Sequence, residues 1–467
     1  MVHCTREKVA SQVESEWKKL EGTEGLPFRE LLSGGRITAA LTRAKVEFRE
    51  RIFSPVVTLW AFLSQATTSK DPSCQNAVSR VLADRIAHQQ KACSTDTSSY
   101  CAARGRLPEA VIRDLAREIG QELHRQAPSE WLCKGRRVHV VDGSTITMAD
   151  TESNQQEYPQ SSGQKAGLGF PILRFVALLS LAAGTALECA ISSCKGKGTG
   201  ELSLFRAVSN VLQPGDILLG DRLYDSYRDL ATLKGRGVDC VFGKKQSRKC
   251  DFRLGRRLGP KDHLVVWKRP DYDASRYDSR EQWEALPETM EMREVCITVR
   301  RPGYRPRTVM IVTTLLDENE FSSAELMALF AERWNCELDL RSIKRALGMH
   351  HSRCETPEMV RKDLWIHLLA YNLIRLRMAQ AASVHALLPR KLSFTAAKNY
   401  LENFAPSLAL ASGAEHRRIE GEMLNAIASC RVGKRPGRKE PRAVKKRQHK
   451  YPYLTRPRDE ARKGLTA

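Results

Sequence analysis

The stretch RRVHVVDGSTI, residues 136–146, constrains the fold of this chain more than any other. Its alternation and β-branched residues predict a strand that ends on a carboxylate in a turn, Asp142-Gly143. A polar, Gly/Ser-rich loop follows over 151–169. Two apolar runs, ILRFVALLSLAAG and TALECAIS, are split by Gly184-Thr185 and predict a hairpin. After a flexible GKGTG come an amphipathic helix over 201–212 and a short buried strand over 216–219. That strand again ends on a carboxylate, in Gly220-Asp221-Arg222. A helix over 226–234 and a strand over 238–242 complete the series. Three strands, then helix, strand, helix, strand, predict an α/β core built on a mixed sheet.

The flanks read differently. Helical spacing recurs over 9–20, 37–63, 78–90 and 108–125, which predicts a helical N-terminal domain over 1–130. The core's first part is expected over 131–243. Short alternating strands with charged, Pro-containing turns predict a β-rich insertion over 244–320. From Ser322 one long helix is predicted to about Met349, with Ser322 or Ser323 as N-cap and Glu325 in the first turn. With a second helix over 357–382 it would form the core's last part, 321–385. The remainder, 386–467, is expected to be a helical dimerisation region with a basic tail. Residues 431–450 hold ten Lys or Arg against one acid, which predicts disorder when free.

Charge narrows the partners. Lys and Arg number 76 and Asp and Glu 54, a net charge of +22. Such an excess favours nucleic acid first and an anionic membrane second. The longest apolar stretch, 175–186, is too short to span a bilayer, and no basic amphipathic helix with large exposed apolar residues stands out. The opening residues, MVHCTREKVA, lack a signal peptide's apolar core, so the expected location is the cytoplasm. Thirteen cysteines without a C-x-x-C predict reduced thiols rather than disulfides or zinc. His350, His351 and Cys354 lie close together, but no second ligand pair accompanies them.

The two strand-end carboxylates carry the chemistry. In a sheet of this order, Asp142 and Asp221 can lie side by side, where a divalent cation would relieve their repulsion. Alone, Asp142-Gly143 reads first as an ordinary turn and Asp221 as a helix-approach cap. On the helix after the insertion, Phe330, Arg333, Glu337 and Lys344 fall within a stripe about 60° wide. An Arg333–Glu337 pair is common on any helix surface. A two-metal site, however, needs a third acid with cations beside it to hold phosphate, and this face supplies both.

These segments together resemble DDE transposases of the insertion sequence 4 family. Arg333, Glu337 and Lys344 match the R-x3-E-x6-K part of its Y-x2-R-x3-E-x6-K signature. The D-G-[ST] at 142–144 and the G-D-R-x-Y-D at 220–225 resemble its two Asp segments, and YCAARGRLP and LLAYNLIR are similar as well. Phe330 stands where the signature has Tyr, so that hydroxyl is absent. The resemblance covers roughly residues 30–400. It implies a ribonuclease H-like (RNase H-like) core interrupted by the β-rich insertion. It also implies cut-and-paste DNA transposition through hairpin ends, in a bacterial, nucleoid-associated protein. Asp142, Asp221 and Glu337 would be the catalytic residues, holding two Mg2+ ions, with Mn2+ as a substitute. The partners implied are double-stranded DNA (terminal inverted repeats and target) and a second copy in a homodimeric synaptic complex.

Several further residues are candidates for DNA. Arg333 and Lys344 would hold phosphate. Arg222 and Tyr224 would touch phosphate or a base, or else serve as cap and packing. Trp267 would stack an unpaired base, or else be a core tryptophan. Lys244, Lys245, Arg248 and Lys249 would line a DNA groove as a set. Two alternatives stand beside this reading: a nuclease that cuts without joining, and an inactive or domesticated transposase that only binds DNA.

Overall fold

The computed structural model describes residues 32–48, 51–68, 71–87, 89–274, 279–299, 307–433 and 452–463. The helix expected over 9–20 and most of the basic tail lie outside the described residues. In chain order, helices α1 (Gly34–Arg43), α2 (Pro55–Thr67), α3 (Cys74–Ala87), α4 (Ser98–Arg106) and α5 (Glu109–Arg125) come first. Then follow β1 (Val138–Met148), α6 (Glu152–Glu157), β2 (Ile172–Ser180), β3 (Ala186–Ser193), α7 (Glu201–Val208), β4 (Ile217–Gly220), α8 (Tyr227–Gly235) and β5 (Asp239–Gly243). Strands β6 (Arg256–Gly259), β7 (Asp262–Lys268), β8 (Thr289–Val299) and β9 (Arg307–Thr313) come next, with α9 (Arg280–Glu284) between β7 and β8. The chain continues with α10 (Ser323–Ala331), α11 (Trp334–Arg341), α12 (Pro357–Val384), α13 (Phe394–Leu410) and α14 (Gly413–Ser429).

Two compact units divide the chain. One, the sheet unit, takes the described residues of 132–181, 189–337 and 433–467. Its strands run in the order β3-β2-β1-β4-β5-β9-β8-β7-β6. The strands β1, β4 and β5 are parallel, while β2 is antiparallel to β1 and β9 to β5. Parallel strands covered on both faces need apolar residues throughout, and Ile217, Leu218 and Leu219 are fully buried.

The register places the two predicted carboxylates. Val140 on β1 is paired with Leu219 on β4. Asp142, within β1, and Asp221, the first residue past β4, each lie two residues further on, and Asp221 is close enough to act on the Asp142 carboxyl. The topology therefore brings the end of β4 beside the middle of β1.

Three expectations change. The first strand does not end in a turn at Asp142-Gly143: pairing with β2 through Asp142↔Ala177 and Gly143↔Val176 carries β1 on to Met148. The strands expected in the β-rich insertion continue the same sheet: β9 pairs with β5 through Val241↔Thr313 and Phe242↔Val312, and β8, β7 and β6 extend it. Trp267, Met290 and Met292 accordingly share one apolar core with Val141, Leu218 and Phe242. The predicted long helix from Ser322 is three segments. Its start is as expected, with Ser322 and Glu325 forming a reciprocal capping box. After α10, however, the bonds tighten to three-residue spacing, from Arg333 N–H to the Phe330 carbonyl (3.1 Å) and from Cys336 N–H to the Arg333 carbonyl (3.0 Å). Asn335 supports that turn by donating to the Glu332 carbonyl at 3.0 Å. Beyond α11 the chain widens into a π turn over Ser342–Ala346. A single straight stripe through Phe330, Arg333, Glu337 and Lys344 therefore does not exist.

Buried Arg293 fixes where this helical segment begins. It grips Asp262 with two bonds, of 2.8 and 2.6 Å, and donates to the Phe321 carbonyl at 2.6 Å, just before the capping box. Removing one partner of such a buried pair would leave an uncompensated charge.

The helical unit takes the described residues of 1–131, 182–188 and 338–432. Thr356 caps α12 and Pro357 opens it, and the helix is buried along most of its length. Its LLAYNLIR segment is polar where it must meet backbone. Asn372 donates to the carbonyls of Ala116 and Ala186, both at 2.8 Å, and Tyr371 donates to that of Gly184 at 2.7 Å. Lys362 donates to the Gly105 carbonyl at 2.8 Å. Asp339, fully buried, is held between Arg375 and Arg390. Among the described residues no helix is long and apolar enough to cross a membrane.

Candidate active site

Midway along β1 the strand opens to solvent after four buried residues, 138–141. Asp142 is the first to emerge. Its Oδ1 accepts from the Gly143 N–H at 2.9 Å. Even so, burial pushes its carboxyl up to about 6. The neighbouring carboxylates of Asp221 and Glu201 push the same way, and Arg333 and the Gly143 N–H only partly offset them. Asp221 caps its own turn, its Oδ1 accepting from the Leu223 N–H at 2.7 Å.

Glu201 was not singled out in the sequence. It is the first residue of α7, where a carboxylate meets the positive end of the helix. It reaches Asp142 because residue 143 is glycine: a Cβ there would lie 2.6 Å from Glu201 Cδ and 2.7 Å from its Oε1. The Tyr224 hydroxyl donates to Glu201 Oε1 at 2.8 Å. No local motif announces this third carboxylate. The clue in the sequence is the Gly of D-G-S, which suggests a turn but lies within β1.

Arg333 links Asp142 to Glu337. It lies close enough to lower the Asp142 carboxyl, and its Nη2 bonds Glu337 Oε1 at 3.1 Å. Phe330 lies against the end of β5: a Cβ on Gly243 would be 3.4 Å from its ring and 3.1 Å from the Arg222 nitrogen. Arg222 is exposed.

Three predicted DNA contacts are corrected. Tyr224 is 0% exposed, packed edge-on against Phe205, with its hydroxyl spent on Glu201, so it is a packing and positioning residue. Trp267 is 7% exposed; its Nε1 donates to Glu294 at 3.0 Å, and the Arg248 guanidinium covers its ring at 3.6 Å. No face is left for a base. Lys244 is buried with its ammonium on the Arg248 carbonyl. Asp225 explains the order of that loop: it is buried, accepts from the Lys245 N–H at 2.9 Å and lies 3.5 Å from the Arg248 guanidinium. Of the basic set, Lys249 is exposed and Lys245 half-buried. Lys344 lies in the π turn of the helical unit, where burial lowers its ammonium below the usual lysine range.

A carboxylate cluster of oxygen donors with one raised carboxyl is what a hard divalent cation would satisfy, so the residues present fit a metal.

Comparison with known proteins gives the family. Residues 134–373 match the family model described as the transposase DDE domain. The chain is 27% identical over 363 residues, 76% of this chain and 78% of the relative, to transposase InsG for insertion sequence element IS4 of Escherichia coli strain K12. A solved cryo-EM structure, the piggyBac transposase synaptic complex with hairpin DNA, covers 87% of this chain and 83% of its own at 9% identity, with a TM-score of 0.43. Matching that family's model over just over half of its length, from strand β1 through the Glu337 helix to α12, the chain belongs to the transposase DDE domain family and is a DNA transposition enzyme that works with divalent metal.

Proposed function

We propose that this protein cuts the terminal inverted repeats of an insertion sequence and joins them to target DNA, with Asp142, Asp221 and Glu337 as the metal-holding catalytic residues. The observation that carries the assignment is the placement of Asp221, just past β4, beside Asp142 within the parallel neighbour β1, with the Asp142 carboxyl raised to about 6. Glu201 is the fourth member of the set. Two Mg2+ ions, replaceable by Mn2+, would supply an activated water or 3′-hydroxyl and charge compensation for the leaving oxygen. The chain's own residues do the rest. Asp142 within β1, Asp221 just past β4 and Glu201 at the start of α7 would provide oxygen ligands from rigid elements. Arg333 orients Glu337 through their 3.1 Å bond and adds positive charge for phosphate. Arg222, Lys245 and Lys249 are the phosphate contacts nearest in sequence to the Asp221 turn, and Lys344 is a further one. A homodimer would hold two ends together, and hairpin ends would be the intermediate.

The test is cleavage of a labelled duplex carrying the element's inverted repeat, with magnesium, by the native chain and by Glu337→Ala. Nicking with hairpin or joined product, lost in the variant, is expected. Cleavage that survives Glu337→Ala would overturn the assignment of the third ligand. Binding without cleavage by either protein would turn the reading to a DNA-binding relic.

A further inference from the structure

The β7–β8 hairpin carries a second cluster of ligating side chains, remote in kind from the carboxylate set. His263 and Glu294 are cross-strand partners. Both are buried, at 1% and 3% exposure. Cys250, from the loop before β6, completes the group: its Sγ lies 3.7 Å from His263 Nε2, and Glu294 Oε2 lies 3.5 Å from that same nitrogen. All three ligand atoms fall within 4.8 Å of one another.

The two contacts converge on one ring nitrogen. His263 Nδ1 is already engaged with the Leu254 carbonyl at 2.7 Å, which requires Nδ1–H and leaves Nε2 as a lone pair in the neutral ring. Glu294 Oε1 is likewise engaged by Trp267 Nε1–H at 3.0 Å, which leaves Oε2 pointing at the same spot. A nucleophilic relay would use both ring nitrogens, one toward the thiol and one toward the acid. Here the Cys250 thiol meets both the Nε2 lone pair and the Glu294 carboxylate, and its one proton can satisfy only one of these two acceptors. A cation satisfies all three. Tetrahedral bonds of about 2.0–2.3 Å put neighbouring ligand atoms about 3.3–3.6 Å apart, close to the separations found.

We propose that Cys250, His263 and Glu294 bind a zinc ion that fastens the loop before β6 to strands β7 and β8. Thiolate with imidazole selects zinc over the hard cations that suit a carboxylate set. The outer contacts have the form such sites need, a carbonyl fixing the histidine tautomer and an indole fixing the carboxylate. Burial and the Glu294 carboxylate push the metal-free Cys250 thiol up to about 12, while Lys244 opposes them, so uptake of the ion would release a proton. Cys250 is only half-buried, which leaves a fourth position for water. The loop is already pressed on the strand at Gly255, where a Cβ would lie 2.0 Å from the Leu264 carbonyl oxygen. The three ligands come from a loop and two strands, so their spacing in sequence carries no motif.

The test uses the full-length protein. Metal content after purification is expected to be one zinc per chain. The metal-free protein titrated with cobalt(II) should show a thiolate-to-cobalt charge-transfer band and strong visible bands of a tetrahedral ion. Cys250→Ser should lose the charge-transfer band, and His263→Ala should lose stoichiometric binding, with circular dichroism confirming that each variant folds. The carboxylate set offers no thiolate, so it cannot produce that band. Native protein with neither zinc nor the cobalt–thiolate band would overturn the proposal, without needing any variant. A band that persists in Cys250→Ser would overturn it as well, by placing the thiolate elsewhere.

Discussion

The carboxylate of Glu201 occupies the place of the side chain that Gly143 lacks: a Cβ on residue 143 would lie 2.6 Å from its Cδ. The glycine next to Asp142 is therefore a vacancy that lets a helix-end carboxylate approach one in the middle of a strand. The obstructing atoms are the tip of a flexible side chain, so Gly143→Ala should fold and displace Glu201 from Asp142. Cleavage is expected to fall about 10–100-fold, the range for losing a supporting group at a metal site, and Glu201→Gln should match it. Cleavage rates with far-ultraviolet circular dichroism check this. A Gly143→Ala protein that is folded and fully active would show that Glu201 plays no part.

Metal loading should depend on pH in a direction set by Asp142. Its carboxyl titrates at about 6, above the ordinary aspartate range, because it is buried and has carboxylates beside it. Below that pH a proton competes with the cation, and above it the anion is free to bind. Cleavage rate should therefore fall as pH drops through about 6, and raising magnesium should move the fall to lower pH. Rate–pH profiles at two magnesium concentrations test it. An inflection that does not move would separate the titration from metal binding.

The same carboxyl makes the metal-free protein less stable than it could be. A group whose folded pKa is raised favours folding at low pH, where both states are protonated, and costs stability above the folded value. At neutral pH Asp142 is charged and only partly solvated. Asp142→Asn should thus stabilise the metal-free chain at pH 7 by about 1–3 kcal/mol while abolishing cleavage. Thermal unfolding with chelator present, at pH 7 and at pH 5, measures it. The gain should shrink at the lower pH, and a variant less stable than the native chain at pH 7 would contradict the account.

What the sequence made legible follows from which forces act locally. Period-two alternation is local, so the strands that carry Asp142 and lead to Asp221 could be read, and their order brought the two carboxylates together; Asp142-Gly143 suggests a turn locally, whereas pairing with β2 carries β1 on to Met148. The capping box at Ser322 and Glu325 is equally local. The pairing of β5 with β9 joins residues some seventy positions apart, and nothing in either strand announces it. The turn at Arg333 depends on bonds three residues apart competing with bonds four apart, a contest that side-chain periodicity does not report. Glu201 escaped because its signal is the absence of an atom on Gly143. Tyr224 and Lys244 have surface-like sequence contexts, and only the packing of Phe205 and the Arg248 loop shows that they face inward.

Trp267 offers a sharp contrast between stacking on a base and holding the sheet. It is buried in the shared core, donates to Glu294 and lies under the Arg248 guanidinium. Trp267→Ala should cost about 3–5 kcal/mol by leaving a cavity. Trp267→Phe keeps most of the volume but strands the Glu294 carboxylate, for a smaller loss of about 1–3 kcal/mol. If the role is structural, Trp267→Phe should form nicked, hairpin and joined products in native proportions below its own melting temperature. A stable Trp267→Phe protein that nicks normally but fails selectively at the hairpin step would return the tryptophan to the DNA. Denaturant unfolding and product analysis on the same preparation decide between the two, because the structural role moves the first measurement and leaves the second unchanged.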